Sequence, residues 1–465
     1  MKDLQPLMLS GREVLPLVEG GKGIAVSNGM SSGAWAAAGG VGTFSCVNPD
    51  SYDENGNIIP QVYSAATRSE RQKQLIDFAI RGGVAQAKIA HETASGAGRL
   101  HMNVLWEAGG TEPILRGVLD QVRDLVHGIT CGAGMPYKVA EIAADYGIHY
   151  YPIISSARAF RALWKRAYHK HGDLLGGVVY EDPWRAGGHN GLSNSEDPNE
   201  PQDPFPRVLA LRKTMREAGL DNVPILMAGG VWYLRDWEEW IGNPDLGPIA
   251  FQYGTRPLLT QESPIPDDWK KLLVTLSEGD VLLQRFSPTG FYSSAVRNTF
   301  IRELEARNAR QVAYLAKPDG ALDQPLPVGA RGRPVYLSAA DKARAEAWIA
   351  EGYGEALKTP DSTLVFVTAD KSAEILKDQT DCMGCLSSCL FSNFSENEAG
   401  STGKKADPRS FCIQKTLQDI SHGGPIENNL MFAGHAACRF SSDPFYTNGF
   451  VPTVKQLIER ICTGD

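Results

Sequence analysis

Val223-Pro224-Ile225-Leu226-Met227 running into Ala228-Gly229-Gly230, and Ile249-Ala250-Phe251-Gln252-Tyr253 running into Gly254-Thr255-Arg256, are apolar runs of strand length that each end in a glycine turn. The same pattern stands earlier, where Gly177-Val178-Val179-Tyr180 leads to Arg185-Ala186-Gly187-Gly188-His189-Asn190-Gly191. Runs without polar alternation fit strands covered on both faces, as in parallel sheets. Working toward the N-terminus, further runs lie at 24–27, 41–44, 101–105, 128–131 and 151–154. Helical patterns at 69–80, 112–126, 138–146 and 207–218 separate them. Eight strands in alternation with helices predict a (β/α)8 TIM barrel. Its working face carries the loops after the strands, and phosphate is commonly held after strands 7 and 8.

Those loops carry the glycines. Without a Cβ, glycine lets backbone N–H groups approach phosphate oxygens, and a helix N-terminus behind them adds partial positive charge. The same glycines also suit tight βα turns with no ligand at all. His189, on the turn after strand 6, adds a group able to move protons near neutral pH. A dinucleotide fingerprint is tested at Gly132-Ala133-Gly134-Met135-Pro136-Tyr137 and fails, because Tyr137 occupies the third glycine position and no acidic residue follows at the required distance.

Composition bounds the remaining possibilities. The 465 residues are 42% hydrophobic and 22% charged, enough for one large domain plus an accessory one. The 46 basic and 54 acidic residues form no basic block that would follow a nucleic-acid backbone or an anionic membrane, and no apolar run reaches membrane-spanning length. The expectation is a cytoplasmic protein acting on a small molecule, without nucleic-acid or membrane partners. The expected domains are a barrel over 1–300, an accessory segment over 301–429, and a returning segment over 430–465 that packs back on the barrel. Within them, 317–334 reads as connector, 339–357 as helix, 363–368 as strand, 392–408 as exposed loop and 454–462 as the final helix.

Four of the eight cysteines fall in one late segment, Cys382, Cys385 and Cys389 close together and Cys412 downstream. Three thiolates on a turn and a fourth from a returning segment suit a [4Fe–4S] cluster; zinc accepts the same set, and unliganded thiols are the third alternative. Cys438 is a reserve ligand. Cys46, Cys131 and Cys462 read as buried small apolar residues, with Cys131 placed to face a ligand at the end of strand 4.

Taken together, Ala186-Gly187-Gly188-His189-x-Gly191, Met227-Ala228-Gly229-Gly230-Val231 and Phe251-Gln252-Tyr253-Gly254-Thr255-Arg256 with Thr260-x-Glu262 resemble the FMN-dependent nitronate monooxygenase family, whose superfamily also includes FMN-type enoyl-acyl-carrier-protein reductases. The resemblance covers about 20–300 and resumes at Leu430-Met431-Phe432-Ala433-Gly434. It implies that Asn28, Met30 and Asn103 line a flavin, that Gly187 and Gly188 belong to its binding loop, that Gly229, Gly230, Gly254 and Thr255 hold its phosphate with Gln252 near the ring, and that His189 is the catalytic base. Tyr253 and Pro257 depart from the family pattern, as does the long polar loop at 193–206. The late cysteines resemble the cluster-binding run of dienoyl-CoA-reductase-type flavoproteins and a similar segment in a cysteine-bearing subgroup of the family. Three functions follow: an FMN oxidoreductase of the nitronate monooxygenase type, a reductase of activated double bonds fed by an electron donor through the cluster, and an iron–sulfur carrier or redox sensor without catalysis.

Overall fold

The computed structural model describes residues 2–329, 331–397 and 400–464. Eight parallel strands close a barrel: β1 (Leu17–Glu19), β2 (Val41–Ser45), β3 (Arg99–Leu105), β4 (Gly128–Gly132), β5 (His149–Ile154), β6 (Val178–Glu181), β7 (Ile225–Ala228) and β8 (Ile249–Tyr253). β8 pairs with β1 and completes the ring. Alternation sets its layers, because successive residues of a strand face opposite sides. Val18, Val41, Tyr151, Val179, Leu226 and Ala250 fill the interior. The intervening residues pack outward on the helices, as Val178, Tyr180, Ile225 and Phe251 do.

Seven of the eight expected strands are in place, and the first is not. Residues 24–27 are buried loop, and β1 lies earlier, at Leu17–Glu19. Its charged end hid it from a hydrophobicity reading: Glu19 is fully buried, paired with Lys22 and hydrogen-bonded by Ser31.

The helix expected at 69–80 runs the whole of Arg68–Ala94, opening on a capping box between Thr67 and Glu70. Gly82 and Gly83 do not break it, because they are packing sites. A Cβ on Gly82 would lie 1.9 Å from the Pro49 carbonyl oxygen, and one on Gly83 would lie 2.6 Å from the Val118 side chain. Conversely, the helix expected over 339–357 ends at Ala350, where Gly352 turns at φ +101° into a strand at Glu355–Lys358.

After the barrel, a small sheet joins Val281–Gln284 and Ser293–Val296 to Gly188–His189 from the loop after β6. The stretch read as connector holds an antiparallel hairpin, Gln324–Val328 with Arg333–Leu337. The hairpin packs with Leu364 and Phe366 in a small core of its own. Of the expected exposed loop, Ser392 and Phe394 are buried, while Glu398 and Ala399 lie outside the described residues. A larger core joins residues of the 258–304 stretch to Cys382, Phe391, Ile413 and Phe440, so the cysteine segment lies against the mouth of the barrel. The final helix, Val454–Cys462, packs on the helix Gly29–Ala37 and fills the place of an eighth barrel helix. Glu262 accepts from its first backbone N–H (Val454 N, 2.9 Å), so that motif carboxylate serves packing. Among the described residues no helix is long and apolar enough to cross a membrane.

Candidate active site at the barrel mouth

A cavity of about 1410 Å³, including its open mouth, sits over the C-terminal ends of the strands. Gly187, Gly188, His189, Gly229, Gly230, Gln252, Gly254, Thr255 and Asn103 all line it. Gly229 (φ +92°) and Gly230 (φ +79°) adopt the left-handed backbone that other residues resist. A Cβ on Gly254 would meet nothing within 4 Å, so the room above that turn belongs to the cavity. The turns lead only into short 3-10 segments, Leu234–Trp237 and Arg256–Leu258, so the helix N-terminus expected to back the glycines is a single short turn in each case. Loop backbone, more than helix termini, makes this cradle.

Asn28 and Met30 are not in the cavity. Asn28 caps the helix Gly29–Ala37, its Oδ1 accepting from Ser31 N, and Met30 is exposed beside Thr93. The displaced first strand explains it: with β1 ending at Glu19, the loop at the mouth is Gly20-Gly21-Lys22-Gly23-Ile24. Asn103 and Gln252 pack down on that loop, and a Cβ would stand 2.4 Å from Asn103 at Gly21 and 3.1 Å from Gln252 at Gly20. Thr130 Oγ1 donates to Asn103 Oδ1 (3.0 Å), which fixes the amide.

His189 lies on the small outer sheet, paired with Ser293. Its Nε2 is 2.7 Å from Ser287 Oγ, which lies 2.9 Å from Thr289 Oγ1. Phe432 packs edge-on against the ring at 5.3 Å between centroids. Burial lowers the imidazole pKa to about 4, leaving it neutral at physiological pH, as a base must be. The segment 431–434 reaches the site from the C-terminal part of the chain. Val296 N donates to Met431 O (2.9 Å), and Gly434 N donates to Thr255 Oγ1 (2.8 Å). A Cβ on Gly434 would lie 2.5 Å from the Arg185 carbonyl oxygen, so this strap is seated without spare room.

Cys382, Cys385, Cys389 and Cys412 line one small cavity of their own. The segment is pinned to the loop after β3, with Gly109 N donating to Cys385 O (2.9 Å) and Ser387 N to Glu107 O (2.8 Å). Arg71 Nε holds Cys382 O at 3.0 Å. Burial raises the Cys385 and Cys389 thiols and pushes Cys412 up to about 12, and the neighbouring sulfurs add repulsion. Among the described residues, no three His, Cys, Asp or Glu side chains are gathered as a metal-ion site. The expected [4Fe–4S] cluster and the alternative zinc therefore gain no support from the side-chain arrangement, although all four cysteines line the one small cavity. Cys385 also lines the large cavity. Cys438 lies apart, with Sγ 3.4 Å from His435 O. Cys131 is buried between strand and helices and does not face the ligand space, because alternation puts Gly132 there; Cys462 is exposed, not buried.

Sequence reading missed Lys22, Glu181 and Arg185, which also line the cavity. A lone lysine or glutamate carries no local signature, and its place depends on strand register.

The family model described as nitronate monooxygenase matches residues 12–382. No curated protein matches. Among solved structures, the enoyl reductase domain of MlnA from the macrolactin biosynthesis cluster of Bacillus amyloliquefaciens is similar at 12% identity and a TM-score of 0.53, over 97% of this chain and 93% of that one. A nitroalkane oxidase from Streptomyces ansochromogenes is similar at 14% identity and a TM-score of 0.52, over 99% and 96%. At these identities the likeness is one of fold.

Proposed function

The chain belongs to the nitronate monooxygenase family and is a flavin oxidoreductase, and from that premise we propose that it binds FMN and oxidises a small carbon acid of the nitroalkane or nitronate class. The observation that carries this reading is a neutral, half-buried His189 facing the same cavity as the glycine turns after β7 and β8. Backbone N–H groups of Gly229, Gly230 and Gly254, with the Thr255 hydroxyl, would hold one phosphate, and no second-phosphate fingerprint exists for a dinucleotide. Bound flavin supplies the electron acceptor. The chain's own part is acid–base chemistry and placement. With its proton on Nε2 and donated to Ser287 Oγ, His189 keeps the Nδ1 lone pair to remove a proton from the substrate carbon. Phe432 and Ile153 keep that surface dry.

A second reading rests on the cysteine pocket. Four cysteines lining one small cavity, Cys382 and Cys389 buried and Cys385 and Cys412 half-buried, would offer a [4Fe–4S] cluster one sulfur for each of its four irons. Because Cys385 faces both cavities, such a cluster would feed electrons from a donor to the flavin, and His189 would then serve as proton donor in reducing an activated double bond.

Turnover assays separate the two readings. The FMN-loaded, anaerobically prepared protein is given a nitronate with oxygen in one arm, and an enoyl thioester with NAD(P)H or reduced ferredoxin in the other. Nitronate consumption supports the first reading; reduction of the thioester alone replaces it with the second.

A further inference from the structure

The end of the barrel opposite the active cavity is stopped by a hairpin, Leu7–Leu9 paired with Arg12–Val14, whose Leu9 and Val14 pack into the barrel interior. Its turn is drawn in by a buried contact: Ser10 Oγ lies 2.9 Å from His101 Nε2 and 2.8 Å from Tyr151 Oη. His101 on β3 and Tyr151 on β5 therefore face the barrel axis. By alternation so do Arg99 and His149, which begin those strands one layer lower, at the rim. His127 stands immediately before β4, the strand between them, and its Nδ1 accepts from Leu100 N (3.1 Å). That bond puts the ring proton on Nε2, where it is left as a donor.

Among the described residues the Arg99 guanidinium has no ion pair and no hydrogen bond, and its Nε is buried without a partner. The charge acting on it is that of Arg12, which repels it. Arg12 Nη1 donates to the Gly96 carbonyl oxygen (2.6 Å), which holds one cation beside the other. Like charges kept together without a counter-ion cost the fold energy that an anion between them would relieve.

We propose that this rim, between the Ser10–Gly11 turn and the starts of β3, β4 and β5, binds a small phosphate-class anion on the Arg99 guanidinium. A planar guanidinium offers paired N–H donors that match two oxygens of a phosphate, Arg12 adds the second charge, and His127 adds a neutral donor. Burial, with the charges of Arg99, Arg12 and His91, pushes the His127 pKa down to about 4. Burial and Arg99 lower that of His149, against which Asp173 acts, and His101 beneath them is held neutral by its burial. The rings are therefore uncharged at neutral pH, and the attraction is that of the arginines. Four residues along each strand, roughly 13 Å away, the same faces reach the active cavity at Asn103 and Ile153. The site is thus separate from the glycine cradle, and the inference does not rest on the flavin reading.

The test is calorimetric titration of the full-length protein near neutral pH with inorganic phosphate and, in a second arm, with glycerol 3-phosphate, at an ionic strength held constant with chloride. Wild type, Arg99→Gln, Arg99→Lys and Arg12→Gln are compared, with bound flavin quantified in each. Wild type should bind phosphate with a Kd of about 1 mM or tighter. Arg99→Gln should bind about tenfold more weakly or worse, and Arg99→Lys, which keeps the charge and loses the fork, should fall between them. Arg12 is exposed, so Arg12→Gln probes the same site without disturbing β3, and it should weaken phosphate severalfold. A monoester that binds as tightly as free phosphate assigns the site to the terminal phosphate of a small metabolite; a weaker one assigns it to inorganic phosphate, and either supports the proposal. No saturable binding in wild type up to about 50 mM, or affinities in Arg99→Gln and Arg12→Gln equal to wild type at the same flavin content, would overturn it.

Discussion

Gly254→Ala separates the cradle's role from the fold's. A Cβ built on Gly254 meets no atom within 4 Å, and the residue lies outside the left-handed backbone region, so alanine costs the folded chain nothing in strain or space. Loss of glycine's freedom in the unfolded state should stabilise the apoprotein by about 0.4–1 kcal/mol. The methyl group nevertheless stands where a phosphate would approach the backbone. Holding one oxygen away from its N–H forfeits a charge-assisted hydrogen bond of about 1.5–3 kcal/mol, or roughly 10- to 150-fold in Kd. Apoprotein Tm by calorimetry and FMN Kd by fluorescence are the two readouts. Gly434→Ala is the contrast: its Cβ would lie 2.5 Å from the Arg185 carbonyl oxygen, so it should lower apoprotein stability by about 1–3 kcal/mol. Unchanged FMN affinity in Gly254→Ala, or a drop of several degrees in its apoprotein Tm, would refute the reasoning.

His189→Ala should retain flavin and lose about two to four orders of magnitude in turnover; a full rate at saturating substrate would leave the imidazole a packing role. Serine at Cys382, Cys385, Cys389 or Cys412 should abolish iron and acid-labile sulfide in anaerobically purified protein while flavin persists, and stoichiometric zinc without sulfide in the parent protein would contradict the cluster. Acid should weaken the fold through its buried histidines. The folded pKa of His189 is lowered to about 4 against an unfolded value near 6.5, so its contribution is present above pH 6.5 and lost as pH falls toward 4. Comparing chemical denaturation of wild type and His189→Gln at pH 7.5 and pH 5, the difference in unfolding free energy should change by about 2 kcal/mol; a constant difference would deny the burial. His422, raised by its hydrogen bond to Asp50, works in the opposite direction and is the same in both proteins.

The barrel was legible because parallel strands covered on both faces read as unbroken apolar runs, and seven of them did. β1 escaped notice because Glu19 makes it half polar, and only the folded chain brings Lys22 and Ser31 to that carboxylate. That one displacement moved the first cavity loop from residues 28–30 to residues 20–24. The cradle glycines were visible from their fixed place after strands 7 and 8. Glu181 was not, because its orientation depends on a two-residue alternation whose phase the sequence does not declare. The cysteine spacing announced a group of four, whereas the contact of Cys385 with the large cavity arises from backbone pairing to the loop after β3, nearly 280 positions away in sequence.

The central claim is that this cavity holds FMN. Releasing the cofactor from natively purified protein by denaturation, then identifying it by mass and quantifying it by absorbance, tests that claim directly. The account predicts FMN at about one per chain; FAD in its place, or no flavin retained even after reconstitution, would contradict it.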